Sequence, residues 1–223
     1  MKEKLSKAFQ DFKTPNAIGS TLSAPSINRG VIVRNKEIEQ IHFALTLNGI
    51  ELGNDKLYTL LAINNYFGGG TSSQLFQKIR EESGYVYTIY SFPSSYKNCG
   101  IFNIYFALNE SYLDNALELV HTEIENIVSN KMTDIQIKKA KEQLKGNYIL
   151  GLESISSRMF GMGKSELMSN KIFEPKEILT KIDAITKDDV YEVIDSVFKK
   201  GIYSAACVGK NVSEEKLNKL IWR

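Results

Sequence analysis

Histidine and cysteine are scarce in this chain, with two of each among 223 residues. A catalytic zinc usually takes three protein ligands drawn mostly from His, Cys and carboxylates. His42 falls in a strand-like stretch and His121 in a helical one. His121 and Glu125 stand one helical turn apart, but no second histidine follows and no third ligand can be nominated. No metal site is therefore expected within these residues. Cys99 and Cys207 sit in separate apolar segments, so no disulfide framework is implied and two buried thiols are expected. An excess of one charge is also missing: 28 Lys and Arg face 26 Asp and Glu, a net charge of +2. No bulk attraction to nucleic acid or to an anionic membrane follows from that balance. No apolar run approaches the roughly 20 residues that span a bilayer. The stretch Met1–Phe12 is Lys-rich and amphipathic and lacks the apolar core of a secretory signal, so a cytoplasmic address is expected. Proline is rare at 4 residues, while apolar residues reach 43%, which excludes a disordered or collagen-like chain.

What is present reads as an α+β protein. Leu5, Ala8, Phe9 and Phe12 recur at helical spacing over residues 3–12, and Lys13–Asn28 is a Thr-, Pro-, Asn-, Gly- and Ser-rich connection without periodicity. Ile41, Phe43, Leu45 and Leu47 alternate with polar or small residues, the period of a half-buried strand. A helix capped by Asn54 or Asp55 runs to Phe67 and stops at Gly68-Gly69-Gly70; a second, capped by Thr71 or Ser72, ends near Gly84. Tyr85–Phe92 and Cys99–Leu108 are β-branched and aromatic, and Pro93–Asn98 between them reads as the turn of an antiparallel hairpin. From Glu110 the period is helical for about ninety residues, with a Thr133 cap, and a strand at Tyr203–Val208 and a helix capped by Ser213 close the chain. Such segregation predicts a largely antiparallel sheet covered on one face by helices.

Motifs that carry chemistry are few. Gly161-Met162-Gly163-Lys164-Ser165 resembles the end of a phosphate loop, yet Arg158 stands where the first glycine belongs and the context is helical. Helix-weakening glycines, or glycines that let something pack closely, are the better reading. Gly68-Gly69-Gly70 also lacks a following lysine, but three glycines ahead of a capped helix would let another backbone approach. Nothing marks a nucleophile on a strand-to-helix elbow. Arg80 and Tyr87 form the pair of interest, because a helix-to-strand turn at Ser83-Gly84 can bring a guanidinium and a phenol together as donors for a peptide carbonyl or oxyanion. Spacing alone favours a plainer alternative: Arg80 paired with Glu81 or Glu82, and Tyr87 half-buried in a sheet.

The stretch from Phe67 through Gly68-Gly69-Gly70-Thr71-Ser72-Ser73-Gln74-Leu75-Phe76 to Arg80 and Tyr87 resembles the carboxyl-terminal half-domain of the pitrilysin/insulinase-type zinc peptidases, peptidase family M16. Glu39-Gln40-Ile41-His42, Lys141–Gly146 and Leu152-Glu153-Ser154 extend the likeness over roughly residues 25–210. The resemblance implies a subunit of two homologous α+β halves, with zinc held by the amino-terminal half and none in this one. It implies that Arg80 and Tyr87 reach a substrate carbonyl across the cavity and help stabilise the tetrahedral intermediate formed at the zinc site of the other half. It also places Gly68, Gly69 and Gly70 at a glycine-rich substrate loop, although the longer loop of the non-catalytic processing-peptidase subunit is missing.

By the same resemblance, residues 1–12 are the tail of a preceding half, 13–28 an interdomain linker and 29–223 the half-domain. The implied partners are a zinc-bearing half or subunit, a peptide substrate and, as an option, a second copy of this chain. The chain alone would be inactive. Two rival readings share the fold: an assembly scaffold like the core proteins of respiratory complexes, and an independent module that binds peptides along a sheet edge.

Overall fold

The computed structural model describes residues 1–11, 23, 25, 26 and 28–222. Most of the expected linker, 13–28, lies outside the described residues, as does Phe12. The first helix, α1 (Lys2–Phe9), buries none of its residues. Two strands follow, β1 (Gly30–Asn35) and β2 (Ile41–Asn48). In β2 the alternation seen in the sequence becomes alternate burial, with Ile41, Phe43, Leu45 and Leu47 all 3% exposed or less. Helix α2 (Leu57–Phe67) starts after a turn in which Asn54 accepts from the amide of Lys56, and it ends at Gly68.

The sheet is completed by β3 (Thr88–Ser95), β4 (Gly100–Leu108) and β5 (Ile202–Gly209), in the order β1-β5-β2-β4-β3. Every pairing is antiparallel except β1 with β5. The expected hairpin forms, but its turn is shorter and later than the sequence suggests. Strand β3 continues through Pro93 to Ser95, which pairs with Gly100. Proline is accommodated because β3 is an edge strand, where a missing N–H need not break the ladder.

Helices α3 (Leu113–Asn130), α4 (Asp134–Gly151), α5 (Ile155–Ser169), α6 (Pro175–Asp183), α7 (Lys187–Phe198) and α8 (Glu214–Ile221) make up the rest. Thr133 caps α4 in a reciprocal box with Gln136, and Ser213 caps α8, as the sequence indicates. The core lies between the sheet and the helices on one of its faces. Phe198 of α7 meets Phe67 of α2 and Phe102 of β4 there edge to face, with centroids 5.0 and 5.1 Å apart, and Phe67 lies tilted to Phe102 at 6.1 Å. Leu117 and Val120 of α3 are buried in the same cluster. No helix among the described residues is long and apolar enough to cross a membrane.

Candidate functional site

The segment after the glycine run departs from regular α-helix. Thr71 and Ser72 lie in a turn rather than capping a helix, and the amide of Gln77 reaches the carbonyl of Ser73. Residues Phe76–Glu82 then widen into a π-helix. Such widening is uncommon and recurs at functional sites, because the extra residue per turn re-aims side chains. Its exit is fixed locally: the amide of Gly84 donates to the Arg80 carbonyl and the amide of Tyr85 to that of Ile79. Gly84 sits at φ +67°, a left-handed conformation that suits glycine.

That exit brings Arg80 and Tyr87 together, though through the backbone of Tyr87. Arg80 Nε donates to the Tyr87 carbonyl at 2.9 Å, and Nη1 binds the Glu81 carboxylate at 2.6 Å. The guanidinium also lies over the Phe76 ring at 4.9 Å. Only the first half of the plainer alternative has a counterpart: Arg80 is paired with Glu81, whereas Tyr87 stands just before β3, outside the strand, and is 55% exposed rather than half-buried in a sheet. Its amide donates to Ala107 of β4, which anchors the backbone and leaves the ring outside. The Tyr87 hydroxyl engages no partner among the described residues. Nη2 of Arg80 is likewise uncommitted there, so a phenol and part of a guanidinium face solvent beside the start of β3.

The three glycines divide. Gly68 is buried, and its carbonyl accepts from the amide of Ser91 in β3 at 2.9 Å. A Cβ on Gly68 would fall 2.3 Å from Ser91 Oγ, and one on Gly69 would fall 2.9 Å from the carbonyl oxygen of Asn64. These two positions are glycine because the end of α2 presses against β3 and its own last turn. Gly70 alone has room, with nothing nearer than Gln143 at 3.8 Å.

Behind the π-helical segment, Tyr66, Gln74, Lys78, Glu123, Lys131 and Gln136 border a cleft of about 300 Å³. Burial pushes the Glu123 carboxyl above its usual range, against the opposing effect of a hydrogen bond from Asn126. Sequence reasoning passed over a row on the sheet face away from the helices. Tyr90, Phe92 and Tyr105 are clustered there, with centroids 5.0 Å apart for Tyr90 and Tyr105, and the Tyr105 hydroxyl lies 2.6 Å from His42 Nδ1. Its signal was available: Tyr90 and Phe92 are two apart in a strand, and His42 and Tyr105 lie one on each of the paired strands β2 and β4.

Among the described residues no three of His, Cys, Asp and Glu gather closely enough to hold a metal ion. The side chains present here do not fit a resident zinc.

Residues 1–144 match the family profile of the peptidase M16 inactive domain. The chain belongs to peptidase family M16. An uncharacterized zinc protease of Bacillus subtilis, YmxG, is 33% identical over 177 residues, covering 79% of this chain and 43% of its own length. The fold is shared with a peptidase M16 inactive domain from Pseudomonas fluorescens, at a TM-score of 0.67 and 18% identity over 86% of this chain and 46% of that one. A chain of complex III2 from Candida albicans superposes at a TM-score of 0.78 with 16% identity, over 98% of this chain and 56% of that one. This M16 inactive domain thus spans less than half the length of its Bacillus relative.

Proposed function

We propose that this M16 inactive domain is the non-zinc half of a zinc-dependent endopeptidase, inactive alone, which holds peptide substrate against the zinc-bearing half. The observation that carries the reading is the presentation of Arg80 beside Tyr87, with an uncommitted Nη2 and a free phenol beside the start of the edge strand β3. Directed N–H and O–H donors of this kind complement charge developing on a scissile carbonyl, and they count most in a site from which water is excluded. Closure of the two halves over the peptide supplies that exclusion. Glu81 steadies the guanidinium without consuming it, because Arg carries five donors and the bond to Glu81 and the bond to Tyr87 use two. Gly69 is exposed and Gly70 half-buried at the start of the same segment, where an extended peptide can approach. Zinc belongs to the partner in this reading, and the cellular address is the cytoplasm.

The test is to combine this chain with its zinc-bearing half and to follow cleavage of a quenched fluorescent peptide library with and without chelator. Activity confined to the mixture and abolished by chelator is expected. Tyr87→Phe should lower turnover in that mixture by about a hundredfold, the usual cost of one oxyanion donor. A zinc-loaded complex without cleavage would instead point to an assembly scaffold. One observation favours that second reading: Arg80 already has structural work, tying the π-helical exit to the Tyr87 carbonyl.

A further inference from the structure

Helix α5 and the end of α4 carry an apolar surface that the described chain does not cover. Ile149 and Leu150 of α4, and Ile155, Met159, Phe160 and Leu167 of α5, are all more than half exposed, reaching 84% at Leu167. None of the fifteen residues of α5 is buried. Its far end is tied back by Ser165, whose hydroxyl donates to the Lys171 carbonyl.

Such a helix is hard to explain by itself. Isolated helices of this length are marginal in water even with good helix formers. Gly161 and Gly163 each subtract about 1 kcal/mol relative to alanine, and a Cβ at either would meet nothing within 4 Å. No packing among the described residues accounts for them. Ile155, Met159 and Met162 lie on one side of the helix and Phe160 and Leu167 on another, and a helix apolar on several sides belongs in an interior. Six large apolar side chains left more than half exposed on one helix and the end of its neighbour mark an interaction surface, where single exposed apolar residues would need no explanation.

We propose that α5, with the end of α4, is the surface on which the zinc-bearing half of the peptidase seats, close against Gly161 and Gly163. The proposal rests on the pairing read in the preceding subsection and adds where the pairing occurs. The occupant follows from length: this chain accounts for 43% of its Bacillus relative and 46% of the Pseudomonas chain, so a body of similar size accompanies the same fold in those proteins. It follows also from charge. Along α5 only Arg158, Lys164 and Glu166 are ionisable in the ordinary pH range, so the complementary face is apolar rather than strongly acidic or basic.

The experiment uses this chain and the zinc-bearing M16 half from the same genome, whether encoded upstream in one polypeptide or as a separate subunit. Hydrogen exchange of residues 155–169 is compared in the chain alone and in the mixture, and affinity is measured for wild type and for Phe160→Asp/Leu167→Asp. Both substituted side chains are exposed, so the thermal midpoint of the isolated variant should match wild type. Slowed exchange along α5 in the mixture, with affinity weakened by at least about tenfold in the variant, is the expected result. Binding with unchanged affinity and unprotected α5 amides would overturn the surface and leave the pairing intact. No binding by the wild-type chain would overturn both. Concentration-dependent protection of α5 in the chain alone, lost in the variant, would assign the surface to a second copy and overturn the proposal.

Discussion

The amide of Ser91 donates to the carbonyl of Gly68 at 2.9 Å, pinning the end of α2 to the edge strand β3. The Ser91 hydroxyl completes the junction by donating to Asn64 Oδ1 at 2.7 Å in a buried setting. A methyl group on Gly68 would stand 2.8 Å from Ser91 N as well as 2.3 Å from Oγ, so a rotamer change of the serine cannot relieve it. Gly68→Ala should therefore cost about 1–3 kcal/mol, the usual range for overpacking. Urea denaturation checks it, and a midpoint equal to wild type would show that α2 and β3 can separate without loss.

That junction also marks what the sequence could and could not reveal. Helices α3, α4, α6 and α7 and strand β2 were legible because one buried face imposes a period on a long enough segment. The caps at Thr133 and Ser213 were legible for a similarly local reason: a hydroxyl reaching an amide three residues on is written in the chain. Pro93 misled because its tolerance in β3 depends on which strand lies at the sheet edge, a fact of topology. Gly68 looked like an open approach, whereas it is buried against Ser91; at Gly69 only the space a side chain would take is filled, and the residue itself is exposed. The spacing of Arg80 and Tyr87 showed that the two could meet. It could not show that the carbonyl of Tyr87 would be the acceptor, because that depends on a π-helix with no periodic signature.

The Arg80 contact separates a positioning role from a binding one. Arg80→Lys keeps the charge but loses the fork that reaches Tyr87 and Glu81 at once. Its side chain is 41% exposed, so stability should fall by less than about 1 kcal/mol. In the reconstituted peptidase, kcat should fall by about tenfold or more while the thermal midpoint stays near wild type. Equal losses in midpoint and turnover would reduce Arg80 to a structural tie.

Acid should loosen the packing of α7 on α2. Hydrogen bonding to Lys56, followed by the amide and hydroxyl of Thr186, lowers the Asp189 carboxyl from 3.8 to about 2. A carboxyl depressed in the folded state contributes stability that is complete above its unfolded value and lost as pH falls through the folded one. The loss therefore falls between about pH 4 and pH 2. Because the group is partly solvated, about 1 kcal/mol is the expected size. Denaturation midpoints measured across that window should slope for wild type, and Asp189→Asn should be less stable at neutral pH with a flatter slope there.

The two thiols should differ in reactivity. Cys207 lies on the core side of β5, 1% exposed and opposite Phe43, and burial pushes its thiol up to about 12. Only thiolate reacts at a useful rate, so Cys207 should resist iodoacetamide at pH 8 in the folded protein. Cys99 is half-buried beside the β3–β4 turn and should be modified under the same conditions. Mass spectrometry should find one adduct per folded chain, at Cys99, and two after denaturation; early labelling of Cys207 would mean that β5 opens readily.

The glycines of α5 give a last prediction, one that isolates the helix from whatever covers it. With open space around both positions, Gly161→Ala/Gly163→Ala removes backbone entropy from the unfolded helix without creating a clash. Each change favours helix by about 1 kcal/mol, so α5 amides in the chain alone should exchange roughly tenfold more slowly or better. The remainder of the chain should be unaffected, because α5 shares no buried residue with the core. If instead the double variant exchanges as fast as wild type, the opening of α5 in the free chain is governed by its junctions at Ser154 and Asn170 rather than by its glycines.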